Sequence, residues 1–195
     1  MSKNKRKPIY LEILVIVHGR SEYFIAEYVK SNLKIKMGID AENKGRNSIQ
    51  ITDLKIRLSN TIYKNRKSLL KKYPDIQVDK KGNPQNLKLF IIMDTDDCSE
   101  TMKNDYITKR MFKKHWLYDY IVPIYNIKEL EDVLKNSGIK YENRNKGEYM
   151  KIFPVNRNEL DIDQIKEFGR AIKKSDKITN MHLFIEKCIK IRSTY

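Results

Sequence analysis

Cysteine is scarce in this sequence, and long apolar segments are missing. The two cysteines, Cys98 and Cys188, lie ninety positions apart, so they cannot supply the closely spaced ligand pairs of a zinc site. No segment approaches the roughly eighteen consecutive apolar residues of a membrane-spanning helix. The basic amino end precedes an apolar run that contains Glu12 and has no small-residue cleavage site, unlike a signal peptide. We therefore expect a cytoplasmic chain with no membrane partner.

Acidic residues are few relative to basic ones. The sequence has 25 Asp and Glu residues against 40 Lys and Arg residues, which gives a formal net charge of +15. Such a balance favours a polyanionic partner, most often nucleic acid. The alternative is a proteome rich in lysine, asparagine and isoleucine, which raises basicity without any partner.

Two apolar runs each end in an unusual polar stretch. Residues 9–17 predict a β-strand that stops at His18-Gly19. We expect Ser21 to cap the helix that follows, with Glu22 in its first turn, where the helix dipole favours a negative charge. A strand, a tight glycine turn and a helix together form the opening of a βαβ unit.

The second run, residues 87–93, predicts a buried central strand that ends in Asp94-Thr95-Asp96-Asp97. Side chains alternate along a strand, so Asp94 and Asp96 are expected on the same side. Two such carboxylates repel each other unless a cation such as Mg²⁺ neutralises them. The alternative is a solvated turn whose aspartates cap the next helix.

The rest of the chain alternates between strand and helix patterns. We expect a short strand at 48–51, a helix capped by Asp53 and a basic helix within 99–117. Residues 120–125 predict a strand that Pro123 makes either an edge strand or a strand with an irregularity. A helix at 126–136, an ambiguous stretch at 139–157, and helices at 161–174 and 181–191 follow. This order predicts an α/β fold with a mostly parallel sheet covered on both faces.

The predicted organisation is a flexible basic arm (1–8), an α/β domain (9–157) and C-terminal helices packed on the same domain (158–195). Ligands of such folds gather at the carboxyl ends of the strands. Both polar stretches lie at such ends, which predicts a shared site.

The motifs, taken in this order, resemble the Toprim fold, particularly the RloB-like proteins and the OLD-type Toprim nucleases. The family's first strand typically ends in Glu-Gly-x-x-Glu, and here His18-Gly19-Arg20-Ser21-Glu22 stands at that place. The family's Asp-x-Asp matches Asp94-Thr95-Asp96. Looser matches are Asn126 with Glu129 or Glu131, and Thr179-Asn180-Met181 with Phe184. The resemblance covers about residues 10–190 in order of elements and implies a Rossmann-like Toprim sheet.

The resemblance implies a nuclease of DNA or RNA that depends on Mg²⁺ or Mn²⁺ and acts in defence against phage. By this resemblance Glu22, Asp94 and Asp96 hold the metal, and His18, in place of the family's glutamate, takes the proton. Two alternatives remain: a non-catalytic subunit that binds nucleic acid or a partner ATPase, and a toxin-like protein that attacks a host RNA.

Several basic residues are candidates for nucleic-acid contacts. Lys44 and Arg46 flank Gly45, whose small size lets backbone N–H groups approach a phosphate. Lys64 and Arg66 lie in a stretch, residues 55–72, with seven basic residues and no acid, and Arg20 lies in the first motif. A solvated surface is the alternative in each case. The absence of a G-x-S-x-G elbow argues against an α/β-hydrolase built on His18-Gly19.

Overall fold

The structure of the chain is a computed structural model that describes residues 10–127, 129–139, 151–155 and 159–194. The basic arm predicted for residues 1–8 lies outside this part, as does most of the ambiguous stretch at 139–157.

Within the described ranges, four parallel strands form one sheet in the order β2-β1-β3-β4. They are β1 (Ile13–Val17), β2 (Met37–Asp40), β3 (Lys88–Asp94) and β4 (Ile121–Asn126). The predicted α/β fold with a parallel sheet is confirmed, and Pro123 lies on an edge strand as expected. The strand predicted at 48–51 is wrong, because residues Ile51–Asp53 form a 3₁₀ turn and β2 forms earlier in the chain.

Helices cover both faces of the sheet. One face carries α1 (Arg20–Leu33), α5 (Leu130–Asn136), α6 (Ile162–Lys173) and α7 (His182–Arg192). The other face carries α2 (Leu54–Asn60), α3 (Arg66–Lys72) and α4 (Glu100–Ile107). Alternate residues of β1 enter the two cores, which is the pattern of a strand buried on both sides. None of the described helices is long and apolar enough to span a bilayer.

Helix boundaries differ from the prediction on the second face. The helix expected within 99–117 ends at Ile107, and the chain continues through Lys109, which has a positive φ of 63°, into a 3₁₀ turn at Arg110–Phe112. The single hydrogen of the Tyr106 hydroxyl is shared between the carbonyls of Ile91 (2.5 Å) and Ile124 (2.9 Å), which fastens the end of α4 to the sheet. The two C-terminal helices are confirmed within one residue of their predicted bounds.

The C-terminal segment closes the outer edge of β4. The Tyr125 amide donates to Asn180 Oδ1 (2.9 Å), and Asn180 Nδ2 donates to the Pro123 carbonyl (3.0 Å). One side chain thus takes the place of a neighbouring strand and satisfies an otherwise open sheet edge. The same contact brings Thr179 to the carboxyl end of β4.

The strand order reverses direction between β1 and β3. Successive connections lead outward from this central pair, to β2 on one side and to β4 on the other. In open parallel sheets this point is where ligands bind, in the crevice beyond the carboxyl ends of the strands. His18 follows β1 and Thr95 follows β3 at this crevice.

Candidate functional site

Glu22 is held at the start of α1 by the residue that caps the helix. Gly19, and not Ser21, is the N-cap, and its amide donates to Glu22 Oε2 (3.0 Å). The predicted cap at Ser21 is therefore wrong, because the Gly19–Glu22 bond caps the helix two residues earlier. Ser21 lies in the first turn and donates to Glu131 Oε1 (3.0 Å). Glu22 is only 2% exposed, so its carboxylate is removed from water.

Asp94 is the last residue of β3 and is 8% exposed. Its Oδ1 accepts a hydrogen bond from Asn126 Nδ2 (2.8 Å), and Asn126 Oδ1 in turn accepts from the Thr179 hydroxyl (2.8 Å). The amide and hydroxyl of Thr95 both donate to the Asn126 carbonyl (3.0 and 2.9 Å). These bonds fix the carboxyl ends of β3 and β4 against each other.

Burial raises the pKa of both Glu22 and Asp94, the carboxylate pair, and the charge of Glu22 adds to the effect on Asp94. Burial, opposed by backbone hydrogen bonds and reinforced by the charge of Glu131, raises the pKa of Glu22 to about 7. Burial and then the charge of Glu22 raise the pKa of Asp94 to about 8, although Asn126 and His18 act in the opposite direction. Near neutral pH the pair therefore favours either a bound proton or a bound cation.

His18 is fixed between the strands and the chain beyond β2. Its amide donates to the Ile92 carbonyl (2.8 Å), and its carbonyl accepts from the Ile49 amide (2.7 Å). Nδ1 lies 3.0 Å from the Ile49 carbonyl. Since a carbonyl oxygen can only accept, Nδ1 carries the hydrogen, and Nε2 of the neutral ring keeps its lone pair. The ring is thus placed beside Asp94 with one nitrogen able to accept a proton.

Asp96 is not part of the buried group. Strand β3 ends at Asp94, so the alternation that would place both side chains on one side does not extend to Asp96. Asp96 is exposed, and its charge acts on the Cys98 thiol, whereas Glu22, His18 and Glu131 are the charges that act on Asp94. The structure brings His18, Glu22 and Asp94 together and leaves Asp96 in the solvated turn.

Asn126, Glu131 and Thr179 belong to the site's surroundings, although no catalytic or ligand role was predicted for them. The sequence pattern could have indicated Asn126, because this residue ends the strand next to the one that Asp94 ends. Glu131 lies in the first turn of α5, where acidic residues are common for capping alone. Thr179 reaches the site through the C-terminal connection, and its signal in the sequence is the loose match of Thr179-Asn180-Met181 to the family.

The loop at residues 42–48 packs on the start of α1. Gly45 has a φ of +77°, and a Cβ there would lie 2.7 Å from both the Arg20 Cα and the Gly19 carbonyl oxygen. The amides of Arg46 and Asn47 already donate to carbonyls within the loop. These two amides are therefore not free for the predicted phosphate cradle, and the glycine serves close packing.

Three basic residues nevertheless lie in this loop or at the start of α1. Lys44 and Arg46 are exposed beside the start of α1. The Arg20 guanidinium lies 5.4 Å from the Phe24 ring centroid. Within the described part of the chain, the buried Arg20 Nε has no hydrogen-bond partner. These cations can approach an anion at the crevice.

Lys64 and Arg66 lie at the other end of the sheet. Arg66 Nη1 donates to the Lys81 carbonyl (3.1 Å) and to Asn83 Oδ1 (2.7 Å). Lys64 and Arg66 line a surface cavity together with Tyr120, which directly precedes β4. The structure therefore places these two cations near the amino ends of the strands, away from the carboxylate pair.

The side chains of the site can be compared with the ligands that Mg²⁺ requires. Among residues 10–127, 129–139, 151–155 and 159–194, no group of three or more His, Cys, Asp or Glu side chains is arranged to hold a metal ion. Glu22 and Asp94 supply two buried carboxylates, and Mg²⁺ is commonly held by one or two carboxylates together with waters and substrate phosphates. The pair fits a cation shared with a substrate and does not fit a closed structural metal site.

Comparison with known proteins finds no family model, no curated protein and no solved structure that matches the chain.

Proposed function

We propose that the chain is a Toprim-like nuclease that uses Mg²⁺ or Mn²⁺ to cut phosphodiester bonds of DNA or RNA. One observation carries the proposal: Glu22 and Asp94 are buried together at the point where the strand order of a parallel sheet reverses. Helix capping accounts for the position of Glu22, but it gives no reason to bury Asp94 where the charge of Glu22 opposes its ionisation. A role in defence against phage, alongside a partner ATPase, is the part of the proposal that rests on the resemblance alone.

Each residue of the site has a defined task in this proposal. Glu22 and Asp94 hold the cation, and Asn126 and Thr179 keep the Asp94 carboxylate in place. When bound, the cation stabilises the charge that develops on the phosphoryl oxygens. His18 Nε2 accepts the proton of the attacking water.

The edge around the pair suits a polyanionic substrate. Lys44, Arg46 and Arg20 contact the phosphates on either side of the scissile bond in this proposal. Their positive charge offsets the repulsion between the substrate and the carboxylate pair.

A non-catalytic binding subunit is the second candidate. Two observations favour it: His18 stands where the family has a glutamate, and no three-ligand metal cluster occurs among the described residues. Such a subunit binds nucleic acid or an ATPase through its basic surface.

The test is cleavage by the purified full chain. Supercoiled plasmid, single-stranded DNA and RNA are incubated with Mg²⁺, with Mn²⁺ or with EDTA. We expect metal-dependent cutting that Glu22→Ala and Asp94→Ala abolish and that the exposed matched control Asp97→Ala retains. The RNA arm separates a general nuclease from an RNA-directed toxin.

Absence of cutting with either metal at high enzyme concentration would refute the nuclease. Salt-sensitive binding that survives Asp94→Ala would then support the binding subunit.

A further inference from the structure

A second charged surface lies on the face that carries α2, α3 and α4. A cavity of about 480 Å³ opens between α2 and the segment that follows α4. Its base includes the buried side chains of Leu58 and Phe112. Four cationic side chains line it: Lys55, Arg110, Lys113 and Lys114.

The positive charge of this cavity is poorly compensated. Arg110 Nε donates to Asp105 (2.9 Å). No carboxylate of the described residues forms an ion pair with the three lysines, and no acidic side chain is among the residues that line the cavity. Like charges held close together around a partly apolar base attract a polyanion strongly.

Aromatic side chains connect this cavity to a neighbouring one of about 620 Å³. His115 lines the first cavity, and its ring centroid lies 6.3 Å from that of Trp116, which lines the second. Trp116 is held by a 2.7 Å bond from its Nε1 to the Tyr63 carbonyl and makes an edge contact with Tyr120 (6.2 Å). The second cavity also holds Lys64 and Arg66, with Asp119 as its acidic member.

We propose that the two cavities form one track that binds single-stranded nucleic acid, here called the basic–aromatic track. The lysines of the first cavity, with Lys64 and Arg66, contact phosphates, and Trp116 with Tyr120 stacks on bases. Grooves that combine basic and aromatic side chains in this way bind single strands with little sequence preference. The half-buried Trp116 and Tyr120 favour a single strand over a duplex, since paired bases present no free face for stacking.

The track is separate from the carboxylate pair. Its second cavity is lined by Tyr120, which directly precedes β4, whereas Glu22 and Asp94 lie beyond the carboxyl ends of β1 and β3. None of the residues that line the two cavities belongs to the carboxylate pair. This inference goes beyond the proposed function, since binding along the track requires neither a metal nor cleavage.

Trp116 is the chain's one tryptophan, so its fluorescence reports directly on the track. Unlabelled dT20 is titrated into the full chain in EDTA, at several salt concentrations. We expect quenching of the indole emission that weakens steeply with salt. We expect Lys113→Gln/Lys114→Gln to weaken binding about tenfold and to reduce the salt slope by about 1.4, the value for two lost phosphate contacts.

The matched control is Lys166→Gln/Arg170→Gln, which removes two exposed cations from α6 on the opposite face. It should bind dT20 within about twofold of the wild type. Equal weakening in both double variants, or no quenching by dT20, refutes the track. A mononucleotide that binds as tightly as dT20 also refutes it and indicates a small-molecule pocket.

The variant Asp94→Ala separates this inference from the nuclease proposal. It should bind dT20 as the wild type does. A chain that cuts nucleic acid without quenching refutes the track alone, and a chain that binds without cutting refutes the nuclease alone.

Discussion

The side-chain amide of Asn126 donates a 2.8 Å hydrogen bond to Asp94, and the two residues are the last register partners of β3 and β4. The Thr179 hydroxyl donates to the other end of the same amide at 2.8 Å. Thr179 donates to the oxygen of the Asn126 amide, and the nitrogen of that amide donates to Asp94, so the amide cannot flip without losing both bonds. The C-terminal segment thereby determines that Asn126 presents its NH2 group, and not its oxygen, to Asp94.

Asn126→Ala should weaken Mn²⁺ binding about 10–100-fold, since supporting residues of this kind tune metal affinity by that factor. The Asn126 bond lowers the pKa of Asp94, so its loss makes the anionic ligand still harder to form. Isothermal titration calorimetry at pH 8 measures the change. Asn180→Ala is the control, because it removes bonds to the edge of β4 and should lower stability without changing Mn²⁺ affinity. Unchanged affinity in Asn126→Ala would show that the bond does not position Asp94.

Asp94→Asn should stabilise the metal-free protein at alkaline pH. Both carboxyls of the pair have raised pKa values, to about 7 and about 8. Their contribution to stability is therefore complete below the ordinary value of 3.8 or 4.5 and is lost as the pH rises through 7 and 8. Removing one charge relieves the repulsion at pH 8, with a gain of about 1–2 kcal/mol, or roughly 2–8 °C in Tm.

Thermal unfolding in EDTA, followed by circular dichroism from pH 5 to pH 8, measures this effect. The wild type should lose stability across the range, and Asp94→Asn should lose less. The exposed Asp97→Asn should follow the wild type. A lower Tm for Asp94→Asn than for the wild type at pH 8 contradicts the interpretation.

Mn²⁺ should raise the Tm of the wild type at pH 8, because a cation that binds only the folded state stabilises it by mass action. The gain is about 2.7 kcal/mol at a hundredfold excess over the Kd. Asp94→Asn should show no such rise. An equal rise in both proteins would place the bound metal elsewhere in the molecule.

His18→Asn should lower cleavage about 10²–10⁴-fold, the usual contribution of a general base, with little change in Tm. The asparagine amide can still donate to the Ile49 carbonyl, but it offers no basic nitrogen at the Nε2 position. Single-turnover cleavage with Mn²⁺ measures the rate. Rates equal to the wild type would remove His18 from the mechanism.

His115→Asn is the matched control for His18→Asn. His115 Nδ1 accepts from the Leu117 amide, and Nε2 lies 3.3 Å from the Leu58 carbonyl, so both nitrogens are used structurally. This variant should lower the Tm and leave the cleavage rate unchanged.

Gly45→Ala should destabilise the protein more than Gly138→Ala does. Both glycines have a positive φ, +77° and +75°, so an alanine is strained at either position, at a cost of about 1 kcal/mol. A Cβ at Gly45 would also collide with backbone, at 2.7 Å, whereas no atom of the described residues lies within 4 Å of a Cβ at Gly138. We expect a further loss of about 1–3 kcal/mol at Gly45, measured by urea unfolding. Equal losses would mean that the loop at residues 42–48 is not packed on α1.

Strands β1 and β3 and the two C-terminal helices could be predicted because their patterns are local. A uniformly apolar run must be buried on both faces, and apolar residues at helical spacing must form one stripe. Strand β2 escaped detection because Met37–Asp40 is a four-residue edge strand of which only Met37 and Gly38 are buried. The cap predicted at Ser21 was wrong because the hydrogen bond from the Gly19 amide to Glu22 already caps this helix end.

The sequence by itself determined that two polar stretches follow apolar strands, and hence that they lie at one edge of a parallel sheet. Only the tertiary structure decided which carboxylates meet there. Glu22 reaches the crevice through the crossover from β1, and Asn126 reaches Asp94 through the β3–β4 register, while Asp96 turns to solvent one residue beyond Thr95. Burial and mutual repulsion are properties of groups brought together from distant positions, so the raised pKa values of the carboxylate pair have no counterpart in the sequence pattern.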